Sequence, residues 1–302
     1  VRCQDCQMVH VEPMPSYEQA KEFYQINGIA HYDQQYVENR INDKNIEHRL
    51  KIYRNAILKY ASKGDSVLDV GCHDAAFLKI LKSDGFEVYG QEVHKELAEM
   101  VQSTYGIPVS SDDFLMYNSN QRFNFVSALS VIEHVPSIEE FVKKIASLII
   151  PEGYLLLEVP NVDSYESRAI YYFFSQTVNY WFEPTPPIHL WEFNKNTIQK
   201  FLNKFGFKVI EIQTFSPFGY EKDIAKFPEG YYIAREGLDL LSLETEKRNL
   251  LKSLVNNNDD NYRNILKYIA KFLIKKTFEE CEIFSEVADN KAAIWVLAQK
   301  VR

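Results

Sequence analysis

The run Val67-Leu68-Asp69-Val70-Gly71-Cys72-His73-Asp74-Ala75-Ala76-Phe77-Leu78 constrains this chain more than any other stretch. It reads as a buried strand, then a tight turn carrying acids and a glycine, then the first turn of a helix. In that arrangement backbone comes close to a ligand and helix N–H groups point toward it, as at nucleotide-type cofactor sites. A second acid, Glu92, ends the next apolar run. It follows about 20 residues later, the spacing that serves a ribose diol. Together these features predict a site for an adenosine-containing cofactor.

The surrounding pattern predicts the fold class. Ser66 to Val70 is a strand, Ala75 to Ser83 a helix, Phe86 to Glu92 a strand and Lys95 to Tyr105 a helix. Ile107 to Ser110 is a short third strand and Phe123 to Leu129 a fourth. Ser137 to Ile149 is a helix opened by a Ser-Ile-Glu-Glu capping box. Pro151-Glu152-Gly153 is a turn, and Tyr154 to Val159 a fifth strand. Alternating strands and helices with short connections predict an α/β fold, a largely parallel sheet covered on both faces. A helix over Thr197 to Phe205, a strand over Phe207 to Thr214 and a last strand over Ala292 to Gln299 complete the pattern.

Other segments break this rhythm. Residues 1–15 carry Cys3-x-x-Cys6, and 16–62 read as a helical lead-in to a core over 63–214. Residues 161–191 form an aromatic insertion containing Tyr171, Tyr172, Tyr180 and Trp181. Residues 215–288 read as a helical insertion before the final core strand in 289–302.

Composition excludes several classes. At 302 residues, 46% hydrophobic and 25% charged, the chain is an ordinary globular protein. Its apolar runs, such as 141–150, are broken by lysines and too short for a bilayer, so no membrane partner is expected. A net charge of −8 argues against bulk nucleic-acid binding. Four scattered cysteines are too few for a disulfide scaffold, which makes a reducing cytoplasm the expected location. No signal peptide is visible, and the first residue is Val1 rather than Met, which leaves room for residues upstream.

On these motifs the chain resembles the class I S-adenosylmethionine-dependent methyltransferases. The resemblance covers roughly 45–214 plus the last strand. Val67 to Cys72 resembles the family's first motif, and Val88 to Glu92 its ribose-binding strand end. Ser111-Asp112-Asp113-Phe114 resembles the adenine-binding turn, and 123–135, ending in Glu133-His134-Val135, the fourth-strand motif. Ile150 to Tyr154 with Val159-Pro160-Asn161 resembles the fifth. The resemblance implies a seven-stranded mixed Rossmann-like sheet with an antiparallel last strand, and S-adenosylmethionine as cofactor. Its cofactor contacts would fall on Asp69, Gly71, His73, Glu92, Asp113, Phe114, Leu129 and Ser130. The family usually carries glycine where this chain has His73 and Ala75, and His73 is expected to keep the turn's left-handed shape.

The nearest subgroup resembles sugar C-methyltransferases, whose turn is closer to His73-Asp74-Ala75. Residues 1–15 resemble the second half of a zinc ribbon found ahead of such enzymes. Cys3 and Cys6 would then be a half site, closed by zinc only with a second cysteine pair upstream; a lost zinc site and an incidental cysteine pair are the alternatives.

Methyl transfer from an activated donor is mostly positioning, but an oxygen or carbon acceptor must also lose a proton. His189, in the segment after the fifth strand, is the first choice of base, with capping or ordering of that loop as its alternative. The pair Glu133-His134 is the second, with a structural role as its alternative. Tyr171, Tyr172, Tyr180 and Trp181 are expected to wall the acceptor, a small molecule such as a sugar nucleotide or glycan precursor. The helical insertion is expected to shape acceptor specificity or a homodimer contact. Two other readings stay open: a non-catalytic partner protein on the same fold, and a nicotinamide-dependent oxidoreductase. The lack of the glycine spacing for a pyrophosphate counts against the latter.

Overall fold

The computed structural model describes residues 1–27, 44–164, 189–215 and 293–301. The chain divides into two compact units, one of 1–160, 184–213 and 293–302, the other of 161–183 and 214–292. The first carries the sheet. Tyr171, Tyr172, Tyr180 and Trp181 lie outside the described residues, as does most of the helical insertion.

In chain order the elements are β1 (Val9–His10), α1 (Tyr17–Asn27), α2 (Lys44–Leu58), β2 (Ser66–Val70), α3 (Ala76–Ser83) and β3 (Glu87–Gln91). Then come α4 (Lys95–Tyr105), β4 (Val109–Ser110), β5 (Phe123–Leu129), a 3₁₀ turn (Ile132–His134), α5 (Ile138–Leu148) and β6 (Ile149–Pro160). The last are β7 (Trp191–Glu192), α6 (Lys195–Lys204), β8 (Phe207–Phe215) and β9 (Ala293–Lys300). Seven strands form one sheet in the order β4-β3-β2-β5-β6-β9-β8. β2, β3, β4, β5 and β6 pair in parallel, and β9 runs antiparallel to β6 along its length, from Tyr154↔Gln299 to Pro160↔Ala293. This is the mixed Rossmann-like sheet expected above, with its antiparallel strand lodged between β6 and β8 rather than at an edge.

The interior strands read as apolar runs because both their faces are covered. All five residues of β2 are buried. Ile138, Phe141, Val142, Ile145 and Leu148 make the buried stripe of α5, at helical spacing. They share one core with Val126, Leu155 and Val296 of β5, β6 and β9.

Three local expectations need correction. Ser137 precedes α5, but its side chain makes no capping bond. Its backbone, at φ −95° and ψ 63°, lies outside the extended geometry usual at a helix N-cap. The capping box instead forms at α6, where Asn194 accepts from the Thr197 N–H and Thr197 Oγ1 from the Asn194 N–H. Second, Pro151 to Gly153 is not a separate turn. It is a bulge inside β6, where the register to β5 shifts and Glu152 takes φ 65°. Third, the strand expected over Ile107 to Ser110 shortens to Val109–Ser110.

Residues 1–10 fold back on themselves, with Cys3 N–H donating to Met8 O and His10 N–H to Val1 O. β1 then pairs antiparallel with β7, Val9 opposite Glu192 and His10 opposite Trp191. Among the described residues no helix is long and apolar enough to cross a membrane.

Candidate active site

At the C-terminal ends of β2, β3 and β5 the structure opens into a cavity of about 570 Å³. Crevices outside the carboxyl ends of parallel strands are where open α/β sheets bind ligands. Asp69, Gly71, His73, Glu92, Asp113, Phe114, Leu129, Ser130 and His134 all line it. Glu133 and His189 do not.

The turn after β2 is shaped by positive φ angles. Gly71 has φ 69°, and a Cβ there would meet Val131 Cγ2 at 2.7 Å, so the position needs glycine. Its N–H and that of Cys72 both donate to Gln91 O, which locks the turn to β3. His73 (φ 50°) and Ala75 (φ 55°) are left-handed as well. The turn thus keeps a glycine-type backbone with two side chains in place of hydrogens.

Glu92 is buried and held from both ends. Its Oε2 accepts from the His73 N–H and its Oε1 from the His94 N–H, both at 3.0 Å. Asp69 and Asp74 are buried beside it. Burial pushes the Asp69 carboxyl up to about 7; the Ser127 hydroxyl, donating at 2.6 Å, opposes the shift, and the charges of Asp74 and Glu92 add to it. Three acids in one wall suit a ligand that brings positive charge and hydroxyl donors. The same burial and the same acids raise the Cys72 thiol, which makes it an inert filler.

Asp113 accepts from the Leu115 N–H at 3.0 Å and also from the Tyr17 hydroxyl of α1. Phe114 is wedged against Phe141 and Tyr117.

Sequence reasoning missed a second polar group. Arg49 of α2 lines the cavity and donates to Glu158 Oε2 of β6 at 2.6 Å, and Ser130 Oγ donates to the same oxygen. The signal was present in Glu158, one carboxylate in the apolar run Leu155 to Val159.

Glu133, His134 and His189 meet at one place, although the sequence separates them. Leu190 N–H donates to Glu133 O at 2.7 Å, and Trp191 Nε1 to Val135 O at 2.8 Å. These bonds clamp β7 to the 3₁₀ turn. The His134 and His189 rings pack edge to face, centroids 5.0 Å apart. Glu192, also missed from sequence, is wholly buried with Oε1 3.4 Å from His189 Nδ1. Burial pushes the Glu133 carboxyl up to about 8, partly offset by His189. His134, rather than His189, faces the cavity.

Cys3 and Cys6 sit in the N-terminal turn with Gln7 at φ 65°. Backbone donors of Cys6 and Asp5, together with the Cys6 side chain, pull the Cys3 thiol below its ordinary range. That favours a metal ligand, yet Cys72 is buried beneath Gly90 and His10 Nδ1 is engaged with Val11 O. The described residues therefore supply two thiols and no closed four-ligand zinc site.

Comparisons with known proteins show the family and the fold. A family model described as a methyltransferase domain matches residues 43–212, and the chain belongs to that family. A ubiquinone biosynthesis O-methyltransferase of Coxiella burnetii is 30% identical over 105 residues, 33% of this chain and 45% of the relative. The chain thus matches less than half the length of that relative. A SAM-dependent methyltransferase of Archaeoglobus fulgidus shares the fold at TM-score 0.53 and 17% identity, over 89% of this chain and 100% of that one. The 1,6-didemethyltoxoflavin-N1-methyltransferase of Burkholderia thailandensis does so at TM-score 0.54 and 10% identity, over 100% and 99%.

Proposed function

We propose that this chain is an S-adenosylmethionine-dependent methyltransferase acting on a hydroxyl-bearing small molecule, with sugar nucleotides and glycan precursors as the first acceptor class. The carrying observation is Glu92, whose carboxylate is fixed at the end of β3 by two backbone N–H groups at the cavity wall. A carboxylate so held accepts both hydroxyls of a ribose without reorganising. Asp69 and Asp74 favour the positive sulfonium and amino groups of the same cofactor. Gly71 gives the cofactor close access to backbone, and Phe114 with Asp113 lies at the adenine end.

The methyl donor supplies its own activation, so the protein's task is to align acceptor oxygen, methyl carbon and sulfur. The acceptor's proton leaves toward His134 at the cavity and His189 packed behind it, with Glu133 and Glu192 offsetting the imidazolium charge. The O-methyltransferase name of the Coxiella burnetii relative supports an oxygen acceptor. The sugar class rests on the likeness of the His73-Asp74-Ala75 turn and the cysteine-bearing N-terminus to sugar C-methyltransferases.

Calorimetric titration with S-adenosylmethionine tests the reading. Wild type should bind in the micromolar range, and Glu92→Ala should lose about tenfold or more, the worth of a charge-assisted hydrogen-bond pair. A folded wild type that does not bind would overturn it.

A further inference from the structure

The group behind the cavity has the composition of a metal site as well as that of a base. One ligand atom from each of Glu133, His134 and His189 lies within 4.8 Å of the others. Glu133 Oε1 stands 3.7 Å from His134 Nε2. Glu133 is 1% exposed, and among the described residues its Oε2 has no hydrogen-bond partner. A buried carboxylate oxygen left without a donor is destabilising, more so when charged, and a bound cation would remove that cost. Two backbone-anchored segments converge here, since the β7 clamp onto Glu133 O and Val135 O fixes where His189 stands relative to Glu133. The site is therefore built by the fold and does not depend on a loose surface cluster.

We propose that Glu133, His134 and His189 bind one divalent first-row transition-metal cation, of the zinc or manganese type. Two imidazoles and a carboxylate are a donor set for such ions and a poor one for magnesium or calcium, which prefer oxygen throughout. Glu192, against His189 Nδ1, fits the outer carboxylate that orients a metal-bound histidine. Ligand atoms around a tetrahedral zinc sit about 3.3 Å apart, so the side chains must close in by up to about 1.5 Å. His134 and His189 are both partly exposed.

Three protein ligands leave coordination positions open, and His134 places the site at the cavity wall. The substrate class that follows is an acceptor whose hydroxyl oxygen coordinates the cation, best with a second oxygen on the adjacent carbon, as in a vicinal diol or catechol. A metal-bound hydroxyl ionises far more readily than a free one. In the transfer the acceptor O–H bond breaks and its proton passes to water. The oxygen then forms a bond to the methyl carbon, and the carbon–sulfur pair returns to sulfur as the neutral thioether. With the cation bound, the imidazoles hold metal in place of a proton. This acceptor chemistry rests on the methyltransferase reading; the metal site itself does not.

The test separates the two. A Cys3→Ser, Cys6→Ser chain, which removes the N-terminal thiols, is stripped with EDTA and titrated with zinc and with manganese. Bound metal is counted by mass spectrometry after gel filtration, and S-adenosylmethionine binding is measured on the same samples. The expected result is one equivalent of metal, with affinity lowered at least about tenfold in Glu133→Gln and His134→Asn while cofactor binding persists. His134→Asn, at a partly exposed position, serves if Glu133→Gln does not fold. Metal binding unchanged in the variants, or absent from a chain that binds cofactor, would overturn the site. So would metal that is held only when Cys3 and Cys6 are intact. Loss of cofactor binding alone, with metal retained, would overturn the methyltransferase reading and leave the metal site standing.

Discussion

Asp69 sits on β2, 4% exposed, with its carboxyl pushed up to about 7 chiefly by burial. Its ordinary value is 3.8. Below that value folded and unfolded chains are both protonated, and Asp69 leaves stability unchanged. As pH rises toward about 7 the unfolded chain releases the proton first, so stability falls; beyond about 7 the penalty is complete at about 4 kcal/mol. Asp69→Asn keeps an acceptor for the Ser127 hydroxyl and removes the ionisation. Its stability relative to wild type should therefore rise between pH 4 and pH 8, read as urea midpoints at the two pH values. A difference independent of pH would show that Asp69 is ionised throughout. The residue's place in a buried strand was legible in sequence. Its protonation was not, because that depends on burial and on the charges of Asp74 and Glu92.

Among elements, α2 shows what pattern reading misses. The periodicity of Asn42 to Tyr60 predicts a helix, observed over Lys44–Leu58, and Tyr53 and Ile57 do face the core. Arg49, on the same helix, carries no signal in the sequence that sets it apart from its polar neighbours. It pairs instead with Glu158 of β6, whose side chain is only 4% exposed. Removing the arginine leaves a buried carboxylate uncompensated, a loss of about 3–5 kcal/mol. Arg49→Ala should lose about that much in chemical denaturation, and Arg49→Ala with Glu158→Gln should recover part of it. The β2 turn is the opposite case. Its left-handed shape was legible, although His73 and Ala75 replace the expected glycines, because the run of strand, turn and helix is local.

For the molecule as a whole, β9 is the closing piece. It arrives after most of the sequence has passed, yet it lies inside the sheet between β6 and β8 with its first six residues buried. A chain ending at residue 292 would leave β6 with an open edge and take Val296 and Ile294 out of the shared core. Such a chain should lose its cooperative unfolding transition and go to inclusion bodies, checked by circular dichroism of any soluble fraction. A truncated chain that melts like wild type would contradict the strand order. The antiparallel direction of β9 was expected from family resemblance, but no period within Ala293–Lys300 specifies its neighbours.

By itself the sequence determined the order of strands and helices, the turn after β2 and the acid closing β3. Each is written in a period or spacing shorter than one structural unit. Only the tertiary structure brought Arg49 to Glu158, 109 residues apart, and Glu133 and His134 to His189 and Glu192. Strand order and backbone clamps are non-local, so the chemistry of a carboxylate or imidazole stays open until the chain closes around it. The same histidine reads as a loop residue, a base or a metal ligand until its neighbours arrive.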